Sequence, residues 1–185
     1  SLYTTARTVT LTGLGTQDGF AGNATGLGSF DNLNAVVGST ASDTLIGMNT
    51  ASDFHINGAS SYYQEIASGR TFGFTSLKKL TGGTANDTFY CHNRATLGGK
   101  INGSTGTDTL DYSNYGLAIT VNLSTGTATG TTGISSIENL IGSPFGNVIY
   151  GDKNDNILIG TAANDTIYGL GGNDTLFGLG GNETL

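Results

Sequence analysis

The chain has 185 residues, of which 31 are glycine and one is proline, and only 11% of its residues are charged. This much glycine together with many small polar residues disfavours a helical domain, and the near absence of proline excludes collagen. Seven basic against fourteen acidic residues give a net charge of −7, the wrong sign for contacts with nucleic-acid phosphates.

We predict that residues 1–37 form an irregular β segment at the N-terminal end of the fold. Within them, residues 8–12 read TVTLT, which alternates polar and apolar side chains and carries no charge. Strict alternation with a period of two is typical of a half-buried strand. We therefore predict a strand at residues 8–12 that can pair with another chain.

Residues 38–141 contain three isolated copies of one nine-residue unit, which open at Gly38, Gly82 and Gly103. The interval between the first two copies is about twice the interval between the second and the third, and so is the interval from the third to Gly142. These spacings fit stacked β coils of about 20–22 residues. Between the copies lie runs of alternating apolar residues, such as residues 118–123. We predict a wide, less regular β-helix over residues 38–141.

Residues 142–185 repeat the nine-residue unit in strict register. Each unit opens with a glycine, at Gly142, Gly151, Gly160, Gly169 and Gly178. The sixth position is always an amide or an acid, at Asn147, Asn156, Asp165, Asp174 and Glu183. The eighth position is always a branched aliphatic residue, at Ile149, Leu158, Ile167, Leu176 and Leu185. We predict a regular β-roll over residues 142–185.

Each unit combines the chemistry of a turn with that of a short strand. Gly and Asn tolerate positive φ, and the Thr-aliphatic pairs that follow suit a strand. Such short strands need stacked copies that share a core, with the eighth position inward and two units in each coil. The fold class predicted is therefore all-β, as one continuous right-handed parallel β-helix and β-roll solenoid of about nine coils. Disorder is the alternative for this composition, and the aliphatic residue at every ninth position argues against it.

The units GLGGNDTLF and GTAANDTIY resemble the RTX, or hemolysin-type calcium-binding, nonapeptide, whose general form is G-G-x-G-x-D-x-U-x. The resemblance covers roughly residues 38–185. It implies a parallel β-roll that holds Ca²⁺ between stacked turns, in a secreted or cell-surface protein. Members of the family include toxins, secreted enzymes, adhesins, S-layer components and ice-binding adhesins.

Calcium takes roughly six to eight oxygen ligands at about 2.3–2.6 Å, and one turn offers about half of them. The turn two units further on can supply the rest, which pairs Asp165 with Glu183, Asn156 with Asp174 and Asn147 with Asp165. We predict roughly one to three ions. The predicted metal-site residues are Asp165, Asp174, Glu183, Asn156, Asn147 and the fourth-position glycines Gly172 and Gly181.

The repeats depart from the family form in ways that limit the number of ions. In residues 142–185 the second position holds Ser, Asp, Thr or Leu instead of glycine, and Asn replaces Asp at Asn147 and Asn156. The alternative is that the Asn, Asp and Thr side chains form ladders without a metal. For the isolated acids Asp43, Asp87 and Asp108, we expect such ladders.

The ninth position should point outward, because the eighth points inward. Residues two units apart at this position would form short apolar ladders on the two faces of the roll, Tyr150 with Tyr168 and Ile159 with Phe177. Stacked exposed aromatic residues mark a contact surface. The alternative is that a neighbouring segment covers them.

The sequence shows no catalytic constellation. The adjacent Cys91 and His92 would point to opposite faces of a strand, so they cannot act as nucleophile and base. We therefore predict a non-enzymatic, extracellular structural or adhesive calcium-binding module. The alternatives are a calcium-dependent folding and secretion module of a larger enzyme or toxin, and an ice-binding adhesin segment.

The predicted partners are other copies of the chain and cell-surface or matrix polymers. The last unit stops one residue early at Leu185 with no polar cap, so we expect its open coil to recruit residues 8–12 of another copy. Head-to-tail stacking of this kind need not close and would give a filament. Lateral assembly is the other arrangement. No apolar run reaches the ~20 residues of a transmembrane helix.

Overall fold

The computed structural model describes residues 4–185, which form twenty strands and one short 3₁₀ helix, Gly58–Ser60. This part of the chain is all-β, as its composition and repeats predict. In chain order the strands are β1 Thr8–Leu14, β2 Phe20–Ala24, β3 Gly28–Leu33, β4 Ala35–Val37, β5 Thr44–Ile46, β6 Ser52–Ile56, β7 Ser61–Glu65, β8 Thr71–Thr75, β9 Lys79–Thr81, β10 Thr88–Cys91, β11 Lys100–Asn102, β12 Thr109–Asp111, β13 Thr120–Asn122, β14 Thr127–Ala128, β15 Gly133–Ser135, β16 Asn139–Ile141, β17 Val148–Tyr150, β18 Ile157–Thr161, β19 Thr166–Tyr168 and β20 Thr175–Leu179.

The strands of residues 4–185 form three sheets. The largest has nine strands in the order β20-β18-β16-β12-β10-β6-β7-β8-β4 and runs through most of the chain. A seven-stranded sheet, β15-β11-β9-β5-β1-β2-β3, takes its strands from the first three quarters. A four-stranded sheet, β14-β13-β17-β19, accompanies the nine-stranded sheet in the last third.

Strands two units apart in the repeats pair in parallel, as the nine-residue period predicts. β16, β18 and β20 are neighbours in the nine-stranded sheet, and β17 pairs with β19 in the four-stranded sheet. The register places Leu140, Leu158 and Leu176 opposite one another in the first set. Successive units therefore contribute strands to two different sheets in turn.

The sheets are mixed, so the prediction of parallel pairing throughout the chain is wrong. The strand sets β1–β2–β3, β6–β7–β8 and β13–β14 pair antiparallel. Glycines with positive φ lie in the short turns that reverse the chain there, with φ of 78° at Gly26, 59° at Gly58 and 69° at Gly126. An antiparallel partner needs only such a turn, whereas a parallel partner needs a long crossover.

The strand at residues 8–12 is not available to another chain, contrary to our prediction. β1 pairs antiparallel with β2 and parallel with β5, so it lies inside the seven-stranded sheet. The hairpins that join β1, β2 and β3 cover the edge of β1 and leave β3 as the outer strand. The alternation of apolar residues predicted the strand but could not predict its neighbours.

Aromatic rings fill the core of the first half of the chain. Phe20, Phe54, Tyr63 and Phe72 are 0% exposed. Tyr63 packs edge-on against Phe20 and Phe54, with ring centroids 5.5 and 5.0 Å apart. Aromatic side chains bury a large apolar area each, so these rings supply much of the apolar core of this half.

Aliphatic residues at the eighth position fill the core of the repeats. Ile149, Leu158 and Ile167 are 0% exposed, which confirms that this position points inward there. Leu176 is only partly buried, and Leu185 is 62% exposed. The internal column is therefore complete from Ile149 to Ile167 and more open beyond it.

Candidate metal site in the repeat turns

The sixth-position side chains lie in the turns, one residue before each strand of the repeats. Each acid accepts a hydrogen bond from the backbone N–H of the equivalent residue two units earlier. The N–H of Asn147 donates to Asp165 Oδ1 at 2.7 Å, that of Asn156 to Asp174 Oδ1 at 2.9 Å, and that of Asp165 to Glu183 Oε2 at 2.7 Å. The structure thus brings all three predicted pairs together.

The glycine that opens each unit makes room for the sixth-position side chain. A Cβ on Gly151 would lie 2.5 Å from Asn156 Oδ1, and a Cβ on Gly160 would overlap Asp165 Oδ2 in the same way. Any other residue at this position would therefore push the side chain out of its turn. This contact explains why a glycine opens every unit. The φ of Gly160 is not positive, so the backbone conformation alone does not require glycine there.

The fourth-position glycines Gly172 and Gly181 are needed for their backbone conformation. Their φ angles are 97° and 110°, in the region that favours glycine. A Cβ on either would also lie 2.6 Å from a carbonyl oxygen of the turn two units earlier. The second position differs, because Leu170 and Leu179 adopt φ of 74° and 73° where the family form has glycine.

Two carboxylate oxygens in these turns have no hydrogen-bond partner. Asp165 Oδ2 and Glu183 Oε1 are buried and unpartnered, and Asp165 as a whole is only 2% exposed. Burial raises the pKa of Asp165; hydrogen bonds from Asn147 oppose the rise, and the charge of Glu183 adds to it. A divalent cation would offset both the burial and the repulsion. The acids of the repeats therefore fit Ca²⁺.

The two asparagines of the predicted site are already engaged with the protein. Asn147 Oδ1 accepts a hydrogen bond from the Ser143 hydroxyl at 2.8 Å, and Asn147 Nδ2 donates to Asp165 Oδ1 at 2.9 Å. Asn156 Oδ1 accepts a hydrogen bond from the Asp152 N–H, and Asn156 Nδ2 donates to the Glu138 carbonyl oxygen, each at 2.9 Å. Within residues 4–185 no three acid, histidine or cysteine side chains group as metal ligands, so backbone carbonyls and water would complete the shell.

The ninth-position residues form the two predicted ladders. The rings of Tyr150 and Tyr168 stack with centroids 5.0 Å apart and an angle of 18° between their planes. Ile159 lies opposite Phe177 in the neighbouring sheet. Tyr168 and Phe177 are 40% and 45% exposed, so a contact role for this surface stays a prediction.

A pair of histidines is the feature that the sequence did not predict. His55 Nδ1 lies 2.9 Å from His92 Nε2, and the His55 ring is stacked between Tyr62 and Tyr90. Burial, together with the nearby His92, lowers the pKa of His55 to about 4, so its ring is neutral at pH 7. Cys91 is buried, and burial raises its pKa to about 12, which makes it an unreactive thiol. Only the register of β6 against β10 reveals the pair.

Comparison with known proteins identifies the repeats. The model of the RTX calcium-binding nonapeptide repeat family matches in four copies, over residues 132–162 and 150–185. None of the curated proteins and none of the solved structures matches the chain significantly. In the described part of the chain, no helix is long and apolar enough to span a membrane. Residues 132–185 therefore match the RTX nonapeptide repeats, a family of repeats that bind Ca²⁺.

Proposed function

We propose that this chain is a calcium-stabilised, non-catalytic structural module of a secreted protein, in which the parallel strands stack as a β-solenoid. The buried, unpartnered carboxylate oxygens of Asp165 and Glu183, inside the matched repeats, carry the proposal. RTX repeats are structural calcium-binding repeats and are typical of secreted proteins. Millimolar extracellular Ca²⁺ suits a site with few charged ligands.

Calcium would act by stabilising the folded state alone. The oxygens of the site come from turns two units apart, and only folding brings these turns together. The unfolded chain therefore has no such site. An ion that binds only the folded state adds about 2.7 kcal/mol to the free energy of unfolding at a hundred times its Kd. The repeats should therefore gain stability as Ca²⁺ is added.

Calorimetric titration of the chain with Ca²⁺ tests this site. The Asp165→Asn variant keeps an oxygen to accept the Asn147 N–H but loses the charge. Asp155→Asn is the matched control, because Asp155 is an exposed acid of the same repeats that accepts only the Asn173 N–H. We expect Asp165→Asn to weaken binding by about tenfold or more and Asp155→Asn to leave it unchanged. Equal affinity in all three proteins would contradict the proposal.

We further propose that copies of the chain associate through the outer strands of the nine-stranded sheet, which would give the module an adhesive or fibre-forming role. These outer strands are β4 and β20. They expose Val37, Phe177 and Leu179 at 76%, 45% and 71%. Unpaired backbone groups beside exposed apolar side chains recruit further strands.

Sedimentation velocity over a range of protein concentrations tests the association. Val37→Lys and Leu179→Lys should each reduce the fraction of larger species, because a lysine on an outer strand disfavours pairing. Leu27→Lys is the control, since Leu27 is 72% exposed but lies in the turn between β2 and β3. A wild-type chain that stays monomeric at every concentration would refute the association and leave the calcium site unaffected.

A further inference from the structure

A cleft opens in the first half of the chain, between the 3₁₀ helix and the turns at residues 75–78 and 96–98. Its volume is about 620 Å³, which is within the range of sites that hold small molecules. Its floor is apolar, with Phe74, Leu77 and Leu97 each no more than 5% exposed. The hydroxyl-bearing residues that line its sides include Ser39, Thr75 and Thr96. An apolar floor framed by hydroxyl groups suits a sugar ring, because the C–H faces of the ring are apolar and its edges carry hydroxyls.

Lys78 lies at the edge of this cleft and adds a positive charge to it. Its Nζ donates a hydrogen bond to the carbonyl oxygen of Thr40. An ammonium group has three N–H donors, so two remain for a ligand. The cleft can therefore bind a sugar that carries an anionic group.

Two further lysines, Lys79 and Lys100, form a flat basic surface next to the cleft, which we call the lysine face. They open the neighbouring strands β9 and β11, and they lie side by side because Leu80 is opposite Ile101. Both are exposed, since the buried Leu80 and Ile101 that follow them point inward. Within residues 4–185 neither ammonium group has a hydrogen bond or an ion pair. Like charges on neighbouring strands repel, and an anion bound between them would remove the repulsion.

A second copy of the same turn shows that the fold does not require these lysines. Residues 76–81 read SLKKLT and residues 136–141 read SIENLI. The backbone N–H groups of Lys78 and Lys79 both donate to one carbonyl oxygen, that of Asp43, and those of Glu138 and Asn139 donate in the same way to that of Asp108. The same backbone turn thus forms with an acid and an amide in place of the two lysines.

Four of the seven basic residues of the chain lie at this edge of the seven-stranded sheet. Arg7 and Lys78 directly precede β1 and β9, and Lys79 and Lys100 open β9 and β11. The strands β1, β5, β9, β11 and β15, which are successive neighbours in this sheet, contain no acidic residue. Asp43 precedes β5, but it is only 4% exposed. In a chain with a net charge of −7, positive charge gathered at one edge favours an anionic partner there.

We propose that the cleft and the lysine face together bind an acidic polysaccharide. The cleft and the face are continuous through Lys78 and Lys79, so one chain of sugars can contact both. Carboxylates of the polymer bind the three lysines, its hydroxyls meet the sides of the cleft, and a ring packs on the apolar floor. The site lies upstream of the residues that match the family. The inference rests on the proposed function only in placing the module outside the cell, where such polymers occur.

Fluorescence anisotropy of a labelled oligogalacturonate, titrated with the full chain in Ca²⁺, tests this site. The methyl ester of the same oligosaccharide has the same sugars without the charges, and it should bind about tenfold more weakly or not at all. Binding of the acid should weaken as NaCl is added, because salt screens exposed charges.

The double variant Lys79→Gln, Lys100→Gln should bind the oligogalacturonate about tenfold more weakly. It should unfold at the wild-type temperature, since both side chains are exposed. Lys153→Gln is the matched control, because Lys153 is an exposed lysine of the repeats, and it should bind as the wild-type chain does. In the cleft, Ala59→Glu should weaken binding more than the uncharged Ala59→Gln, and Ala59 is exposed, so both variants should fold.

Equal affinity of the wild-type chain and the double lysine variant would overturn the inference, and so would equal binding of the acid and its ester. Tighter binding to vesicles of phosphatidylglycerol and phosphatidylcholine than to the oligogalacturonate would overturn the choice of partner. Binding that survives in the double lysine variant but is lost in chelator would come from a Ca²⁺ bridge and would also overturn it. A thermal midpoint that does not rise with Ca²⁺ would contradict the proposed function and leave this site standing.

Discussion

At the scale of single residues, the opening glycine and the sixth-position side chain of a unit form one packing pair. The sequence predicts both by their period, and it predicts that partners two units apart meet. It does not predict which oxygens find a donor. Asp43 and Asp87 occupy the same position of the unit, yet only Asp43 has both oxygens satisfied, because the Arg7 N–H donates to Asp43 Oδ1 and no such donor reaches Asp87 Oδ1.

Gly160→Ala should destabilise the repeats, because the added Cβ would overlap Asp165 Oδ2 and displace the carboxylate. Overpacking of this kind costs about 1–3 kcal/mol in the free energy of unfolding. Gly171→Ala is the control, since its Cβ would meet nothing closer than 3.4 Å and its φ is not positive. Urea unfolding of both variants measures the difference, and equal losses would refute the packing role of the opening glycine.

Without calcium, Asp87 and Asp108 should make the protein less stable as the pH rises. Their folded-state pKa values of about 6 and about 7 lie above the ordinary value of 3.8. The folded state then binds more protons than the unfolded state. The stability that the two protonated acids contribute is complete below the ordinary pKa of 3.8 and is lost as the pH rises through about 6 and 7.

Urea unfolding in chelator measures this pH dependence. The free energy of unfolding should fall between about pH 5 and about pH 8, and it should fall less in Asp108→Asn, which cannot ionise. The control is Asp43→Asn, because the pKa of Asp43 is lowered and its titration lies at more acidic pH. A wild-type chain whose stability stays constant or rises over this range would contradict the raised pKa values of the two buried acids.

At the scale of elements, the short strands of the repeats were predictable and the hairpins were not. A period of nine fixes which residues share a row, so the pairing of Ile149 with Ile167 follows from the sequence. The hairpins β1–β2–β3 and β6–β7–β8 belong to segments without a period. Their turns depend on single glycines with positive φ, such as Gly26 and Gly58. In a chain with 31 glycines, the sequence does not indicate which of them reverse the chain.

Ile167→Asp should unfold the repeats, because Ile167 is 0% exposed and a buried carboxylate would have no partner there. Ile167→Val keeps an apolar side chain and should cost only about 0.5–1.5 kcal/mol. Thr175→Asp, at an exposed position of β20, is the control for the added charge. Circular dichroism during thermal unfolding compares the variants, and equal tolerance of Asp at both positions would show that the inward assignment is wrong.

At the scale of the whole molecule, sixth-position side chains link turns from the middle of the chain to the repeats. One row runs from Asp87 through Asp108 and Glu138, continues through Asn156 by its Nδ2 bond to the Glu138 carbonyl, and ends at Asp174. The family match reveals only the C-terminal part of this row. The rest depends on the pairing of strands separated by irregular loops, which a sequence period does not supply.

Thermal unfolding of the purified chain in millimolar Ca²⁺ and in chelator tests the central claim, that buried carboxylates of the turns bind Ca²⁺ and thereby stabilise the fold. The midpoint should rise with Ca²⁺, rise less with Mg²⁺, and respond more weakly to Ca²⁺ in Asp165→Asn. Identical unfolding curves in Ca²⁺ and in chelator would contradict the account, because the unpartnered oxygens of Asp165 and Glu183 would then need no cation.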